Sequence, residues 1–259
     1  MKILILGIIF STLFAFLLNT AWALESKGPY LDEQLRQPAY KKTFNALFKG
    51  QHNIEPWLQG YLKNRNGLET PGRTRTIGSK KYELYSLCQP QYCPGSALHV
   101  FFEPGGLRAW ALFNKEDGTL RFFGNPDAEM QTALKSASTT DRLALFGLEE
   151  NEVRAFLDSI QEAVSRNDVT ALSVLIQYPI KVTKNGEIVM IENQTKFISA
   201  YNEIITSKVK KAILNQKYEE LFFDWKGVMI GNGEIWFKSS CPVSSSCESH
   251  NFFITAINS

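Results

Sequence analysis

The sequence predicts an α+β protein built in two units, and three observations carry this reading. Short alternating strands joined by tight turns run through residues 82–123, which marks an antiparallel meander. The rhythm changes at the small polar stretch 136–141, after which helical periods take over. The second half then places helices first and strands last, so the α+β pattern recurs.

Taken in order, residues 1–23 read as a secretory signal. Lys2 supplies the positive start, residues 3–18 an apolar run, and Ala21-Trp22-Ala23 a small-x-small cleavage site. An uncleaved anchor is the alternative. The first unit is expected over residues 24–138 and the second over 139–259. Residues 24–38 show no period. Residues 41–49 read as a short helix with Phe44, Leu47 and Phe48 on one face and Gly50 ending it. Pro56-Trp57-Leu58 reads as a buried anchor, and residues 67–75 as a polar connection. Strands follow at 82–87, 98–102, 107–113 and 120–123, with Glu103-Pro104-Gly105-Gly106 and Asp117-Gly118 as turns. A helix capped by Asn125, with Pro126 at its first position, closes the unit.

In the second unit, Val153, Phe156, Leu157, Ile160 and Val164 make a helical stripe. A shorter helix at 169–176 precedes a hairpin turned at Asn185-Gly186. Asn193 caps the next helix, and strands at 221–225, 228–230, 235–237 and 252–257 end the chain.

The 28 basic and 26 acidic residues nearly balance, which argues against nucleic acid or an anionic membrane as partner. The four cysteines form two close pairs, Cys88 with Cys93 and Cys241 with Cys247. Export to an oxidising compartment makes two local disulfides, Cys88–Cys93 and Cys241–Cys247, the expected state. No metal is expected: the spacings exceed the usual zinc pattern, and the three histidines are scattered. Catalytic signatures are absent from the sequence, so no catalytic residue and no cofactor is expected. His99 reads as a satisfied core imidazole. Asp224, Trp225, Glu234 and Trp236 are candidates for a small polar pocket, or else core tryptophans beside surface carboxylates.

The first ring, Cys88-Gln89-Pro90-Gln91-Tyr92-Cys93, draws the most attention. It sits at the tip of an expected hairpin, with Pro90 restricting the turn. A loop this short stabilises the fold by only ~2 kcal/mol. Its larger effect is local, because a stiff tip loses little entropy on binding. The bland reading is that the bridge merely ties two strand ends.

The segment from Thr43 to Gly50, Pro56-Trp57-Leu58, and Tyr85 through the ring into the next strand together resemble the inhibitor of vertebrate lysozyme, or Ivy, family. The likeness covers about residues 40–137. It implies a periplasmic protein whose antiparallel sheet carries helices on one side, and whose partner is a lysozyme- or muramidase-type protein. In that family the ring reads Cys-Lys-Pro-His-Asp-Cys, and its histidine meets the catalytic carboxylates of the glycosidase. A donor wedged between two carboxyls that need different protonation states blocks the chemistry. Here Cys88, Pro90 and Cys93 match, while Gln89, Gln91 and Tyr92 replace lysine, histidine and aspartate with neutral donors. The second half, from about Glu149, resembles the nuclear-transport-factor-2-like (SnoaL-type) cone at the level of fold.

The resulting expectation is an exported, non-enzymatic inhibitor that plugs a cleft with the Cys88–Cys93 loop. Its target is a host lysozyme, the cell's own lytic enzyme or a competitor's toxin, the last making it an immunity protein. A homodimer is compatible with this reading. The alternative is a periplasmic small-ligand or peptidoglycan-fragment module that uses the cone pocket.

Overall fold

The computed structural model describes residues 28–259 apart from 92, 94, 95, 116, 117, 225 and 241–250. The expected signal lies outside the described residues. Of the two expected disulfides, the structure describes one, Cys88–Cys93. Cys241 and Cys247, the expected second pair, both fall in the segment 241–250, outside the described residues. A bridge between Cys241 and Cys247 thus rests on the sequence alone.

The first half runs α1 (Leu31–Gln34), α2 (Pro38–Phe48), α3 (Pro56–Asn64), β1 (Leu68–Glu69), β2 (Arg73–Ile77), β3 (Lys80–Cys88), β4 (Ala97–Phe102), β5 (Ala109–Asn114), β6 (Leu120–Phe123) and α4 (Ala128–Ala144). The second runs α5 (Glu150–Ser165), α6 (Val169–Val174), β7 (Ile176–Lys184), β8 (Glu187–Ile191), α7 (Gln194–Ser199), α8 (Tyr201–Ile204), α9 (Ser207–Asn215), β9 (Phe222–Asp224), β10 (Gly227–Ile230), β11 (Ile235–Ser240) and β12 (Asn251–Asn258). The protein is α+β, as its sequence predicts. Among the described residues, no helix is long and apolar enough to cross a membrane.

The first sheet is antiparallel and ordered β1-β3-β4-β5-β6, with β2 sharing the β3 edge. β4 and β5 are buried along their whole length, so both faces of the sheet are covered. One face sends Tyr85, Leu87, Leu98, Val100, Phe102 and Phe113 into a core with Phe44, Leu47 and Tyr61 of α2 and α3. The other sends Leu84, Phe101, Trp110 and Leu112 against Met130, Leu134 and Ala137 of α4. A fourth helix thus adds a second layer to the one-sided helical cover that the family likeness implies. Pro38 and Pro56 occupy the first turns of α2 and α3, where a missing N–H costs nothing. Gly106 sits at φ +70°, and a Cβ there would lie 2.8 Å from the Tyr40 backbone nitrogen. The left-handed turn and the close approach of α2 both require glycine.

Two sequence expectations shift. Asp127 rather than Asn125 caps α4, its carboxylate accepting from Met130 N at 2.8 Å. The boundary expected at 138/139 falls inside α4, which continues through residues 136–141. Ser138 and Thr139 are buried there. Small residues let α4 lie close to both halves: the Asn114 amide donates to Ser138 Oγ, and Thr139 Oγ1 donates to the Glu219 carbonyl. Arg154 stacks on the Tyr218 ring at 3.6 Å and its Nε donates to Glu150 Oε1, while Thr140 Oγ1 donates to Glu150 Oε2. We propose that the joint is the turn after α4, residues 145–149, where Leu145 and Phe146 are exposed. Limited proteolysis should therefore cut first at 145–149. First cuts mapping to 136–141 by mass spectrometry would refute this placement.

The second sheet is mixed, in the order β8-β7-β12-β11-β10-β9, with β12 and β7 parallel and the other pairs antiparallel. Its concealed face packs on α5, whose Val153, Phe156, Leu157, Ile160 and Val164 form the stripe read from the sequence. Asn185 and Gly186 both have positive φ (51° and 83°), the geometry that a two-residue hairpin demands.

Candidate functional site

The β3–β4 hairpin places the ring at its tip. Cys88 pairs in register with Ala97, and the disulfide to Cys93 spans a Cα–Cα distance of 4.9 Å. Gln89 N donates to the Ser96 carbonyl at 3.0 Å, which closes the base of the loop. Pro90 and Gln91 are exposed, and Gln91 takes φ +67°, a left-handed conformation uncommon for this residue type. The turn therefore presents Gln91 outward. Tyr92 lies outside the described residues.

The base is braced from behind. Trp57 Nε1 on α3 donates to Ser96 Oγ at 2.8 Å, and its ring lies 5.9 Å from the Phe113 ring on β5. The Pro-Trp-Leu anchor is thus the start of a helix that reaches the loop. Trp57→Phe keeps the ring packing but strands the buried Ser96 hydroxyl. A stability loss of about 1 kcal/mol in urea unfolding and faster hydrogen exchange at the Gln89 amide are expected. Unchanged exchange there would mean that Trp57 does not hold the loop.

Beside the ring lies an apolar cavity of about 170 Å³, bounded by Leu68, Leu87, the two bridged cysteines, Ala97 and Leu145. Leu68 and Leu145 are 51% and 55% exposed, so its rim offers apolar surface to solvent.

Under this cavity is a buried polar cluster that sequence reasoning missed. His99 on β4 is 1% exposed, and its Nδ1 lies 3.1 Å from both Ser86 Oγ on β3 and Asp141 Oδ2 on α4. Arg73 on β2 donates through Nη2 to Asp141 Oδ1 at 2.6 Å and to Ser86 Oγ at 3.3 Å. Burial opposes ionisation of Asp141, but the His99 contact and the His99 and Arg73 charges hold its carboxyl well below the usual range. Ser, His and Asp are the residue types of a hydrolase triad, but the geometry is different. Both partners share Nδ1, whereas a triad needs the serine on Nε2. Here Nε2 is buried without a hydrogen-bond partner. The cluster ties α4 to the strands that carry the ring, and its Ser86, His99 and Asp141 also line the cavity.

Of the predicted pocket residues, Glu234 and Trp236 are described with their contacts. Glu234 is buried, accepting from Asn232 N at 2.6 Å and pairing with Lys208 Nζ at 3.1 Å, so it closes a turn against α9. Burial opposes its ionisation, while the Asn232 and Lys208 contacts lower its carboxyl overall. Trp236 packs edge-on to Phe222 at 6.4 Å. Asp224 ends β9, and Trp225 lies outside the described residues, as do Cys241 and Cys247. Among the described residues, no group of three or more His, Cys, Asp or Glu is placed to hold a metal.

The geometry is a bridged, braced turn next to an apolar cavity, on an α+β scaffold. The comparisons add the family likeness. The chain is 26% identical over 137 residues to the protein named inhibitor of vertebrate lysozyme from Pseudomonas aeruginosa, covering 48% of this chain and 87% of that protein. The Escherichia coli K12 protein of the same name is 27% identical over 77 residues, 30% of this chain and 45% of its own. An uncharacterised protein of Yersinia pestis is 31% identical over 84 residues, 32% of this chain and 52% of its own. No protein-family model matches the chain. The likeness to the inhibitor of vertebrate lysozyme that the motifs carry therefore holds over about half of the chain.

Proposed function

We propose that this chain is an exported periplasmic inhibitor that binds a lysozyme- or muramidase-type glycosidase by placing the Cys88–Cys93 turn in its cleft. The observation that carries the reading is the ring itself. It is covalently closed, braced by Trp57 through Ser96, and turned so that Gln91 faces outward. The names of the relatives supply the class of partner, and those names are of inhibitors rather than enzymes. The apolar cavity next to the ring suits an apolar side chain of the bound protein, as interface anchors fill pockets. Gln91 and Tyr92 carry no charge, so the turn approaches carboxylates as a neutral donor. A competitor's lytic toxin fits this as well as a host enzyme does, and the immunity role is proposed on the same ground.

The test is capture of periplasmic and secreted proteins on the mature chain, followed by a cell-wall lysis assay with whatever glycosidase is retained. Retention of a glycosidase whose turnover falls on binding supports the proposal. A chain that captures no glycosidase and leaves C-type lysozyme and bacterial muramidases fully active overturns it.

The ligand-module reading requires room inside the second unit. There Phe156 lies 5.1 Å from Phe237 and 5.5 Å from Phe252, ring to ring, which favours a core filled by side chains.

A further inference from the structure

The second sheet ends in a strand that is unlike its neighbours. Among the described residues, β8 is terminal in the strand order and is hydrogen-bonded to β7 alone. Its residues read Glu-Ile-Val-Met-Ile, with Ile188, Val189 and Met190 exposed at 61%, 47% and 51%. Successive strand residues point to opposite faces, so apolar side chains stand free on both sides of the edge. The partner strand β7 alternates instead, burying Ile176, Ile180 and Val182. Sheet edges are ordinarily blunted by an inward charge, a proline or a bulge, and residues 188–191 contain no charge and no proline. The β7–β8 register runs without a shift from Ile180↔Ile191 to Lys184↔Glu187.

We propose that β8 pairs antiparallel with β8 of a second copy of this chain, about a two-fold axis near Val189, joining two six-stranded sheets into one. The segment is self-complementary in this register. Val189 faces its own equivalent, Ile188 faces Met190, and Glu187 faces Ile191. No like charges are set opposite each other, which is the usual penalty on strand self-pairing. Glu192, just beyond the strand, is already paired with Lys196 Nζ at 2.5 Å. A two-fold contact between identical patches closes at the dimer, which favours a second copy over an open polymer. The proposal concerns a different surface from the bridged turn and does not depend on what that turn binds.

Five residues a side make a small interface, below about 1,200 Å², so a weak, reversible dimer in the micromolar range or above is expected. Sedimentation velocity of the mature chain from about 10 to 500 μM should show the weight-average mass rising toward twice the monomer. Val189→Lys and Met190→Lys alter only exposed positions, so both should stay folded by circular dichroism and remain monomeric throughout. Val189→Cys should form an inter-chain disulfide when an added mild oxidant takes up the two thiol hydrogens, because the two sulfurs meet across the axis. Glu187→Cys, which faces Ile191, should not. The proposal is overturned by a monomer at every concentration, a dimer that survives Val189→Lys, or equal cross-linking at positions 187 and 189. A monomer that takes up a synthetic strand peptide at β8 would also overturn it, since the occupant would then be an extended peptide.

Discussion

Asp141→Ala should destabilise the protein by about 3–5 kcal/mol, because it removes the one acid from a buried cluster and leaves the Arg73 guanidinium and the His99 ring without their carboxylate partner. The His99 and Arg73 side chains are 1% and 25% exposed. Among the described residues, Asp141 is the carboxylate that both contact. Asp141→Asn should cost less, since the amide keeps the volume and can still accept from Arg73. The carboxyl titrates lower in the folded chain than in the unfolded chain, so it contributes stability above the unfolded value. That contribution is lost as pH falls below about 4 toward the folded value. Wild type should therefore lose stability on acidification more steeply than Asp141→Asn across this limb. Urea unfolding at neutral pH and along an acid series measures both effects. An Asp141→Ala midpoint within error of wild type would show that water or a rearranged Arg73 satisfies the site at little cost. The consequence reaches the ring: Ser86, a member of the cluster, lies two residues before Cys88 on β3.

The sequence shows the strands around the ring plainly, because β3 and β4 alternate at period two and proline, glycine and cysteine punctuate them. The long stripe of α5 is legible for the same kind of reason. Other features are not. α3 hides because Gly60 interrupts it and it buries only Leu58 and Tyr61, leaving Trp57 to look like an isolated anchor. β2 hides because Arg73-Thr-Arg-Thr-Ile is polar, and its place on the edge of β3 is decided by pairing rather than composition. Residues 136–141 look like a linker because small polar residues usually mark one. Here they are the closely packed face of a helix wedged between two halves. The His99–Asp141 cluster unites residues from four elements, and nothing local in the chain announces such a meeting. The ring was visible, whereas the brace from Trp57 to Ser96 that gives it rigidity appears only in three dimensions.

Gln91→Ala should weaken binding of the captured glycosidase roughly ten- to hundredfold, about 1–3 kcal/mol, if the turn is the inhibitory plug. Gln91 is the exposed outward residue of the turn, and the partner's polar groups would lose the amide that satisfies them. Folding should be unaffected, because the side chain is exposed and alanine meets the same left-handed backbone as glutamine. Gln91→Asn separates backbone from side chain. Asparagine tolerates this conformation better, yet its amide is one carbon shorter. A stability equal to or above wild type with an intermediate affinity would identify reach as the quantity that matters. Pro90→Ala should cost less affinity than Gln91→Ala, through a looser tip rather than a lost contact. The double change Gln91→His with Tyr92→Asp restores a charged donor to the turn, and it should increase inhibition of a C-type lysozyme. That gain should fade as pH rises through about 6.5, where the imidazole loses its proton and with it the attraction to carboxylates. The four variants are read by surface plasmon resonance on the captured enzyme and by lysis of cell walls at pH values on either side of that point. Full affinity in Gln91→Ala would reduce the ring to a tie between two strands, and the binding surface would then have to lie elsewhere on the molecule.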